Sequence, residues 1–245
     1  MKKLLSLICL LALLLTALPA RAEFGQTELH TFAGIPWGTS IQQFVSVAQR
    51  GGLPVENNSS HIDLIEGYYA IFGMPLDPDC FSVKFSSPGN QQLTAIEMSL
   101  EDVPCELDEQ GNAVIPEVLR SGYHQFLERY GTPTSALLIL GSDDNCQVYL
   151  PDPSEAPWLM EDLLQLANRG NWTRSSIVVC CSNVVFRARL WRDESPYEFW
   201  TELRFQSHSY DAMELAKVAG VPSSLTDATP LHFQGGAPIV FNIIP

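Results

Sequence analysis

The stretch SIVVCCSNVVFRARLW, residues Ser176–Trp191, decides the fold, because its second half alternates with a period of two. After a bend expected at Ser182-Asn183, apolar side chains fall on one face: Val184, Phe186, Ala188 and Leu190. The opposite face carries Arg187, Arg189 and Trp191. Since successive side chains of a β-strand point to opposite sides of a sheet, this pattern predicts a strand with one buried and one outward face.

The segment from Phe199 to Phe205 repeats the alternation after a turn expected at DESPYE, residues 193–198. Its inward residues are Phe199, Thr201, Leu203 and Phe205, and its outward residues are Trp200, Glu202 and Arg204. Two alternating runs joined by a turn predict an antiparallel hairpin. We expect this hairpin to place Trp191 beside Trp200 and Arg189 beside Glu202, although a shift of two residues would exchange these partners.

The rest of the chain adds further strands and three helices. Strand-like runs are 62–72, 81–85, 93–100, 136–140 and 147–150, and capped or apolar-periodic helices are expected near 41–48, 116–130 and 158–168. The third helix lies between strand runs and has the character of an insertion. The predicted class is therefore α+β, an antiparallel sheet with helices packed on one face plus an inserted helix.

The first 22 residues have the pattern of a secretory signal peptide. Lys2 and Lys3 precede an apolar stretch that is too short to favour a membrane span, and Ala20-Arg21-Ala22 is a small-x-small cleavage site. We expect cleavage after Ala22, one α+β domain over 23–206, and an extension over 207–245 that packs on the body. The expected location is the periplasm or the extracellular space, with no stable membrane insertion after cleavage.

The charge of the chain limits the kinds of partner that it can bind. The net charge is −14 over 245 residues, and removal of residues 1–22 makes the chain still more acidic. Such a field opposes binding to nucleic acid, so we expect none.

The cysteines that follow the leader are candidates for disulfides, since export leads to an oxidising space. They are Cys80, Cys105, Cys146, Cys180 and Cys181. One arrangement pairs Cys80 with Cys105, and Cys146 with one of the vicinal pair, whose side chains should point to opposite faces of a strand. The odd number leaves at least one thiol free or paired between chains. No Cys-x-x-Cys or Cys/His spacing indicates a redox dithiol or a metal site, so no metal is expected.

Basic charge concentrates on the last hairpin of an otherwise acidic chain. The candidate binding residues are Arg187, Arg189, Trp191, Arg192, Trp200 and Arg204. Arginine with tryptophan is the composition of interface anchors, which favours contact with an acidic or carboxylate-bearing partner, expected to be a protein. The alternative is an exposed sheet face neutralised by Asp193, Glu194 and Glu202.

No catalytic motif is evident, and no cofactor is expected. The chain lacks a Gly-x-Ser-x-Gly elbow, a phosphate-binding loop and a His-Glu-x-x-His helix. Three weaker features stay open: a cysteine nucleophile at Cys180 or Cys181 with His208, an acid/base face of Arg120, His124 and Glu128, and a calcium site in the acidic segment 101–112. A small hydrolase or ligand-binding protein is therefore the alternative to a binding module.

Two short motifs carry a resemblance to a known group. They are Phe32-x-Gly34-Ile35-x-Trp37-Gly38-Thr39-Ser40 and Leu127-Glu128-Arg129-Tyr130-Gly131-Thr132-Pro133. Over residues 32–133 the chain resembles small exported bacterial α+β proteins, namely outer-membrane assembly lipoproteins of the SmpA/OmlA type and β-lactamase-inhibitor-like domains. The resemblance implies a non-catalytic, protein-binding role in the cell envelope. Cys9 lacks the small preceding residue of a lipoprotein site, so lipid tethering is not carried over.

Overall fold

The computed structural model describes eleven segments of the chain: 27–28, 36–50, 55–58, 61–65, 69–86, 92–142, 146–170, 172–192, 197–206, 210–218 and 239–241. The predicted leader lies outside these residues, as do Phe32, Gly34 and Ile35 of the first motif, Asp193, Glu194 and His208. Within the described residues, no helix has both the length and the apolar character needed to cross a bilayer.

The strands are named in chain order. They are β1 (Thr27–Glu28), β2 (Val55–Asn58), β3 (His61–Leu64), β4 (Tyr69–Ile71), β5 (Met74–Phe85), β6 (Leu93–Pro104), β7 (Glu106–Leu107), β8 (Ala113–Val114), β9 (Ser135–Gly141), β10 (Cys146–Tyr149), β11 (Arg174–Cys181), β12 (Val184–Trp191), β13 (Glu198–Gln206) and β14 (Ile239–Phe241). The helices are α1 (Ile41–Arg50), α2 (Glu117–Tyr130), α3 (Leu159–Arg169) and α4 (Ala212–Val218), and a 3-10 turn over Pro153–Trp158 leads into α3.

One large sheet organises the fold, and it confirms the predicted α+β class. Its strands follow the order β1-β4-β5-β6-β13-β12-β11-β9-β10-β14. All neighbours pair antiparallel except β1 and β4, which are parallel. Near the centre of the sheet β6 pairs with β13, so the early strands of the chain meet the late ones there.

Both faces of the sheet are covered in part. Helices α1, α2 and α3 bury Phe44, Phe126 and Leu163 in the main core, and we call this side the inner face. On α2, Tyr123 packs its ring 4.9 Å from that of Phe186 on β12. Helix α4 lies on the other side, the outer face, where Leu215 is buried in a second apolar cluster. A helix on the outer face was not expected from the sequence.

The hairpin of β12 and β13 has the predicted faces but a different register. Arg189 lies opposite Trp200, Arg187 opposite Glu202 and Trp191 opposite Glu198, a shift of two residues from the expected pairing. A shift of two keeps every side chain on its face, so the apolar alternation cannot distinguish the two registers.

The run 62–72, expected as one strand, forms two. Strand β3 ends at Leu64, and β4 turns back into β5 through Phe72-Gly73. Both residues of this tight turn have positive φ, 55° for Phe72 and 72° for Gly73. Such torsions suit a two-residue hairpin turn but are rare for a bulky residue. Phe72 is buried, and its ring lies 6.3 Å from that of Phe126, which holds the unusual backbone in place.

The predicted disulfides are wrong for the four cysteines whose side chains are described: Cys80, Cys105, Cys180 and Cys181 are all free thiols. The register gives the reason for Cys146. It lies opposite Gly141 on β9, whereas Cys180 lies opposite Ser135, six residues away along the same strand. Six residues of strand span about 20 Å, whereas the Cα atoms of a disulfide lie within about 7 Å.

The first predicted pair fails for the same reason. Cys80 lies on β5 between Leu76 and Phe81, which pair with Leu100 and Met98 in the middle of β6, while Cys105 lies just past the end of that strand. Cys180 and Cys181 point to opposite faces of β11, as the alternation requires. Both are fully buried, Cys181 in the main core and Cys180 in the cluster beneath α4.

Candidate functional site

The outer face of strands β11, β12 and β13 carries a row of arginines and tryptophans. Alternation on β12 sends Arg187, Arg189 and Trp191 outward while Phe186, Ala188 and Leu190 are buried inward. Trp200 projects from β13 opposite Arg189, and Arg174 begins β11 opposite Trp191. We call these five residues the ladder: Arg174, Trp191, Arg189, Trp200 and Arg187.

The members of the ladder stack on one another. The guanidinium carbon Cζ of Arg174 lies 5.2 Å from the ring centroid of Trp191, and that of Arg189 lies 5.1 Å from the same centroid. Trp200 is approached by Arg189 at 5.4 Å and by Arg187 at 5.8 Å. Each tryptophan therefore contacts two arginines, and cation–π attraction is typical at such distances.

Arg189 is the member that contacts both tryptophans. On the neighbouring strand β11, the residue opposite Arg189 is Ser176, whose small side chain leaves room for the long arginine. Contact with both indole rings reduces the rotamer freedom that an exposed arginine would otherwise keep. Less side-chain entropy is then lost when a partner binds.

Acidic side chains flank the ladder on β13 and β6. Glu97 forms ion pairs with Lys84 at 2.8 Å and with Arg204 at 2.8 Å, and the Arg204 guanidinium also lies 5.9 Å from the ring of Tyr210. Glu202 lies opposite Arg187 and between Trp200 and Arg204 on its own strand. This half-buried patch therefore mixes guanidinium groups with a few carboxylates.

Burial affects the ionisation of the central charged groups. It lowers the pKa of Arg187 to about 10, helped by the nearby positive charge of Arg189 and opposed by Glu202. Burial also lowers the pKa of Arg189, and it raises the pKa of Glu202 even though Arg187 acts in the opposite direction. The desolvation of these charges therefore outweighs their mutual attraction, as is common for half-buried pairs. The arginines remain protonated at neutral pH.

The structure brings together four of the six predicted binding residues: Arg187, Arg189, Trp191 and Trp200. Arg204 lies at the border of the ladder, held by Glu97. Arg192 does not join it, because the alternation turns this side chain towards the helices. Its guanidinium donates a hydrogen bond to the backbone carbonyl of Ala167 on α3 and lies 5.0 Å from the ring of Tyr197.

Arg174 belongs to the ladder and was missed by sequence reasoning. It lies two residues before Ser176, so it shares the outward face of β11 with Ser176. Alternation continued backward from Ser176 would assign Arg174 to the outward face. The run Arg174-Ser175-Ser176 is polar throughout, however, so no apolar residue shows which of its side chains point inward.

The other half of the outer face is closed. Val178, Cys180 and Val185 lie beneath Leu215 and Ala216 of α4, and the hydroxyl of Ser135 donates a 3.0 Å hydrogen bond to the carbonyl of Tyr210. The apolar end of the face is thus covered by the chain's own helix. The arginine-rich end lies beside that cover, which leaves it as the polar part of the face.

The alternative catalytic sites are not supported by the geometry. Cys180 and Cys181 are fully buried, so neither thiol is open to a substrate. Burial also raises the pKa of Cys181 to about 12, which disfavours its thiolate. His208, the suggested base, lies outside the described residues. On α2, Arg120 forms ion pairs with Glu117 at 3.2 Å and Glu161 at 3.3 Å, as an ordinary helix surface does.

The acidic segment forms a small hairpin. Strands β7 and β8 pair there, and the carboxylate of Asp108 accepts hydrogen bonds from the backbone nitrogens of Gln110 and Asn112 and from the amide of Asn112. These bonds, that of the Asn112 side chain first, lower the pKa of Asp108. Among the described residues, no group of three or more His, Cys, Asp or Glu side chains is placed to hold a metal ion.

Comparison of the chain with known protein families, with curated proteins and with solved structures gives no match.

Proposed function

We propose that this protein is an exported, non-catalytic binding protein, and that its ladder docks an acidic segment of a partner protein in the cell envelope. The observation that carries the proposal is the stacked row of three arginines and two tryptophans on one sheet face. An ordered, partly desolvated cluster of this composition is what interface anchors have in common. The signal-like leader and the resemblance to envelope binding proteins support the same reading.

The hydrogen-bonding character of the ladder favours an anionic partner. Arginine and the tryptophan ring offer hydrogen-bond donors and no acceptors. A carboxylate can accept two parallel N–H bonds from one guanidinium, which gives both affinity and orientation. Because the rest of the chain is acidic, with a net charge of −14, the ladder is also the place where an approaching anion is attracted and not repelled.

The stacking argues against recognition of a neutral sugar. A sugar ring would need an open indole face, whereas Trp191 and Trp200 each have two guanidinium groups within 5.8 Å of the ring centroid. A carboxylate meets a guanidinium at its edge, in the plane of the group, and needs no open indole face. An acidic peptide segment therefore suits the ladder better than a sugar ring does.

The proposal is tested by capture from an envelope extract with the immobilised protein. The double variant Arg174→Gln, Arg189→Gln removes two charges from the ladder, and the matched control Arg120→Gln, Arg129→Gln removes two from α2 on the helix side. We expect the wild type and the control to retain the same acidic proteins and the ladder variant to lose them. Equal retention by all three would contradict the proposal.

A direct titration complements the capture. A fluorescein-labelled hexaglutamate peptide serves as the probe, with hexalysine as the probe of opposite charge, and binding is followed by fluorescence anisotropy. We expect hexaglutamate to bind and hexalysine not to compete. The affinity should fall with rising salt, because charge attraction is screened.

A further inference from the structure

The three arginines of the ladder repeat at a regular interval along β12. Arg187 and Arg189 lie two residues apart on this strand, and Arg174 lies opposite Trp191, two residues further on. Because a strand rises about 3.4 Å per residue, the three positions follow one another at steps of about 7 Å. Consecutive arginines also share a tryptophan. Trp200 lies beside Arg187 and Arg189, and Trp191 lies beside Arg189 and Arg174.

An extended peptide presents its side chains at the same interval. Successive side chains point to opposite sides, so every second residue faces the same way, at steps of about 7 Å. Three acidic residues at alternate positions therefore present all three carboxylates on one side, at the spacing of the arginines. Three consecutive acidic residues place at most two carboxylates on one side.

We infer that the ladder binds an extended segment of the partner in which three acidic residues alternate with other residues, and that this segment lies along β12 with one carboxylate at each arginine. The inference rests on the proposed function, because it specifies the sequence pattern of the same acidic segment. It makes the spacing of the carboxylates a determinant of affinity in addition to their number.

The surroundings of the ladder fit a segment that runs along the strand. At one end, Arg187 lies opposite Val178 of β11, which is buried in the cluster beneath α4. Further along the row Arg189 is half-buried, and Arg174 at the other end is exposed. A guanidinium has five N–H donors, more than one contact uses, so a carboxylate can be added to the contacts that these arginines already make.

A helical segment matches the row less well. On a helix, every fourth residue repeats at steps of about 6 Å, but each step turns the side chain by about 40° around the helix axis. The third carboxylate of such a series therefore points away from the sheet. An extended segment twists with the same hand as the strand beneath it, so its carboxylates stay above the arginines.

The test uses two fluorescein-labelled pentapeptides of identical composition and charge, Glu-Thr-Glu-Thr-Glu and Thr-Glu-Glu-Glu-Thr, with binding followed by fluorescence anisotropy. Peptides of this length do not form stable helices, and threonine favours the extended form. We expect the wild type to bind the alternating peptide roughly three- to tenfold more tightly, the order of one partly exposed, charge-assisted contact.

A variant at the exposed end of the ladder tests the register of three. Arg174→Gln leaves two arginines in the row, so both peptides can make two contacts and should bind with affinities within about twofold of each other. The matched control Arg129→Gln removes one charge from an exposed position on α2, on the helix side of the sheet, and should keep the preference of the wild type. If Arg174→Gln fails to fold by circular dichroism, Arg174→Thr, which suits a strand, replaces it with the same expected outcomes.

The outcomes separate this inference from the proposed function. A preference for the alternating peptide that Arg174→Gln loses and Arg129→Gln keeps supports the inference. Equal binding of the two peptides by the wild type, or a preference that Arg174→Gln retains, overturns the inference and leaves the proposed function standing. Binding of hexaglutamate without binding of either pentapeptide has the same meaning, whereas no binding of any of the three probes overturns both.

Discussion

Gly122 marks a close approach of α2 to the sheet. A Cβ atom at this position of α2 would lie 2.5 Å from Cγ and from Sδ of Met74, which is buried on β5. We expect Gly122→Ala to lower the free energy of unfolding by about 1–2 kcal/mol through overpacking, although alanine favours a helix by about 1 kcal/mol. Urea denaturation measures the change.

The control for this prediction is a double-mutant cycle. With Met74→Ala as background the obstructing side chain is absent, so Gly122→Ala should become neutral or stabilising. A stabilising effect of Gly122→Ala in the presence of Met74 would show that the methionine moves aside without cost.

Arg189 is the pivot of the ladder, so its shape should matter as well as its charge. Arg189→Lys keeps the positive charge but loses the planar group that contacts both Trp191 and Trp200. We expect hexaglutamate affinity to fall roughly three- to tenfold and tryptophan emission to shift, because both indoles lose a neighbour. Arg129→Lys, on the exposed last turn of α2, is the matched control and should change neither reading.

Glu202 should contribute to the dependence of stability on pH. Its pKa is raised in the folded protein by burial, above the value of about 4.3 for an exposed glutamate. At a pH between the unfolded and folded pKa values, Glu202 is protonated in the folded protein and ionised in the unfolded chain. Its contribution to stability is therefore fully present below the unfolded pKa and is lost as pH rises through the folded pKa. Relative to the wild type, Glu202→Gln should therefore fall less in unfolding free energy as pH rises from about 4.5 towards neutrality. Parallel urea-derived profiles for the two proteins would contradict this.

At the scale of elements, Arg192 connects the end of β12 to the end of α3. Its hydrogen bond to the carbonyl of Ala167 satisfies one of the last acceptors of that helix, and its charge suits a helix C-terminus. We expect Arg192→Ala to lower the free energy of unfolding by about 1–2 kcal/mol while leaving hexaglutamate affinity unchanged. If Arg192→Ala instead weakened hexaglutamate binding and left the free energy of unfolding unchanged, Arg192 would be a binding residue after all.

The strands and helices themselves were largely predictable, and their exact pairing was not. Alternation on β12 and β13 fixed which side chains are buried, and the apolar spacing of α2 indicated its buried face. The register of the hairpin was wrong by two residues, because side-chain period says nothing about a shift of two. Arg192 follows Trp191 directly, so strict alternation puts it on the inner face and not among the binding residues. Arg174 was missed because no apolar residue beside it shows which face of β11 it occupies.

At the scale of the whole molecule, the reactivity of the thiols follows from the sheet. Cys80 is exposed, whereas Cys180 and Cys181 are fully buried on opposite faces of β11. We expect an alkylating reagent to modify Cys80 in the native protein, and to reach Cys180 and Cys181 only after unfolding. Mass spectrometry of digested protein, with and without denaturant, measures both. Hydrogen bonding to Asp77 raises the pKa of Cys80, so its modification should quicken in alkaline buffer.

The disulfides could not be judged from the sequence, because cysteine count and compartment carry no information on strand order. Cys146 and Cys180 lie on the two different neighbours of β9, Cys146 opposite its last residue and Cys180 opposite its first. Likewise, α4 on the outer face follows from where the chain returns after β13. The fold class was accessible from side-chain pattern alone, whereas distances between far positions of the chain depend on topology.

The pairing of β6 with β13 has a consequence for biosynthesis. A ribosome releases β6 long before β13, and during that interval the side of β6 that will pair with β13, from Ala95 to Pro104, lacks that partner. An open strand edge of that length is a template for association with other nascent chains. The chain is thus expected to depend on a holding chaperone until its last third has emerged, and a fragment ending before Glu198 should aggregate where the whole chain folds.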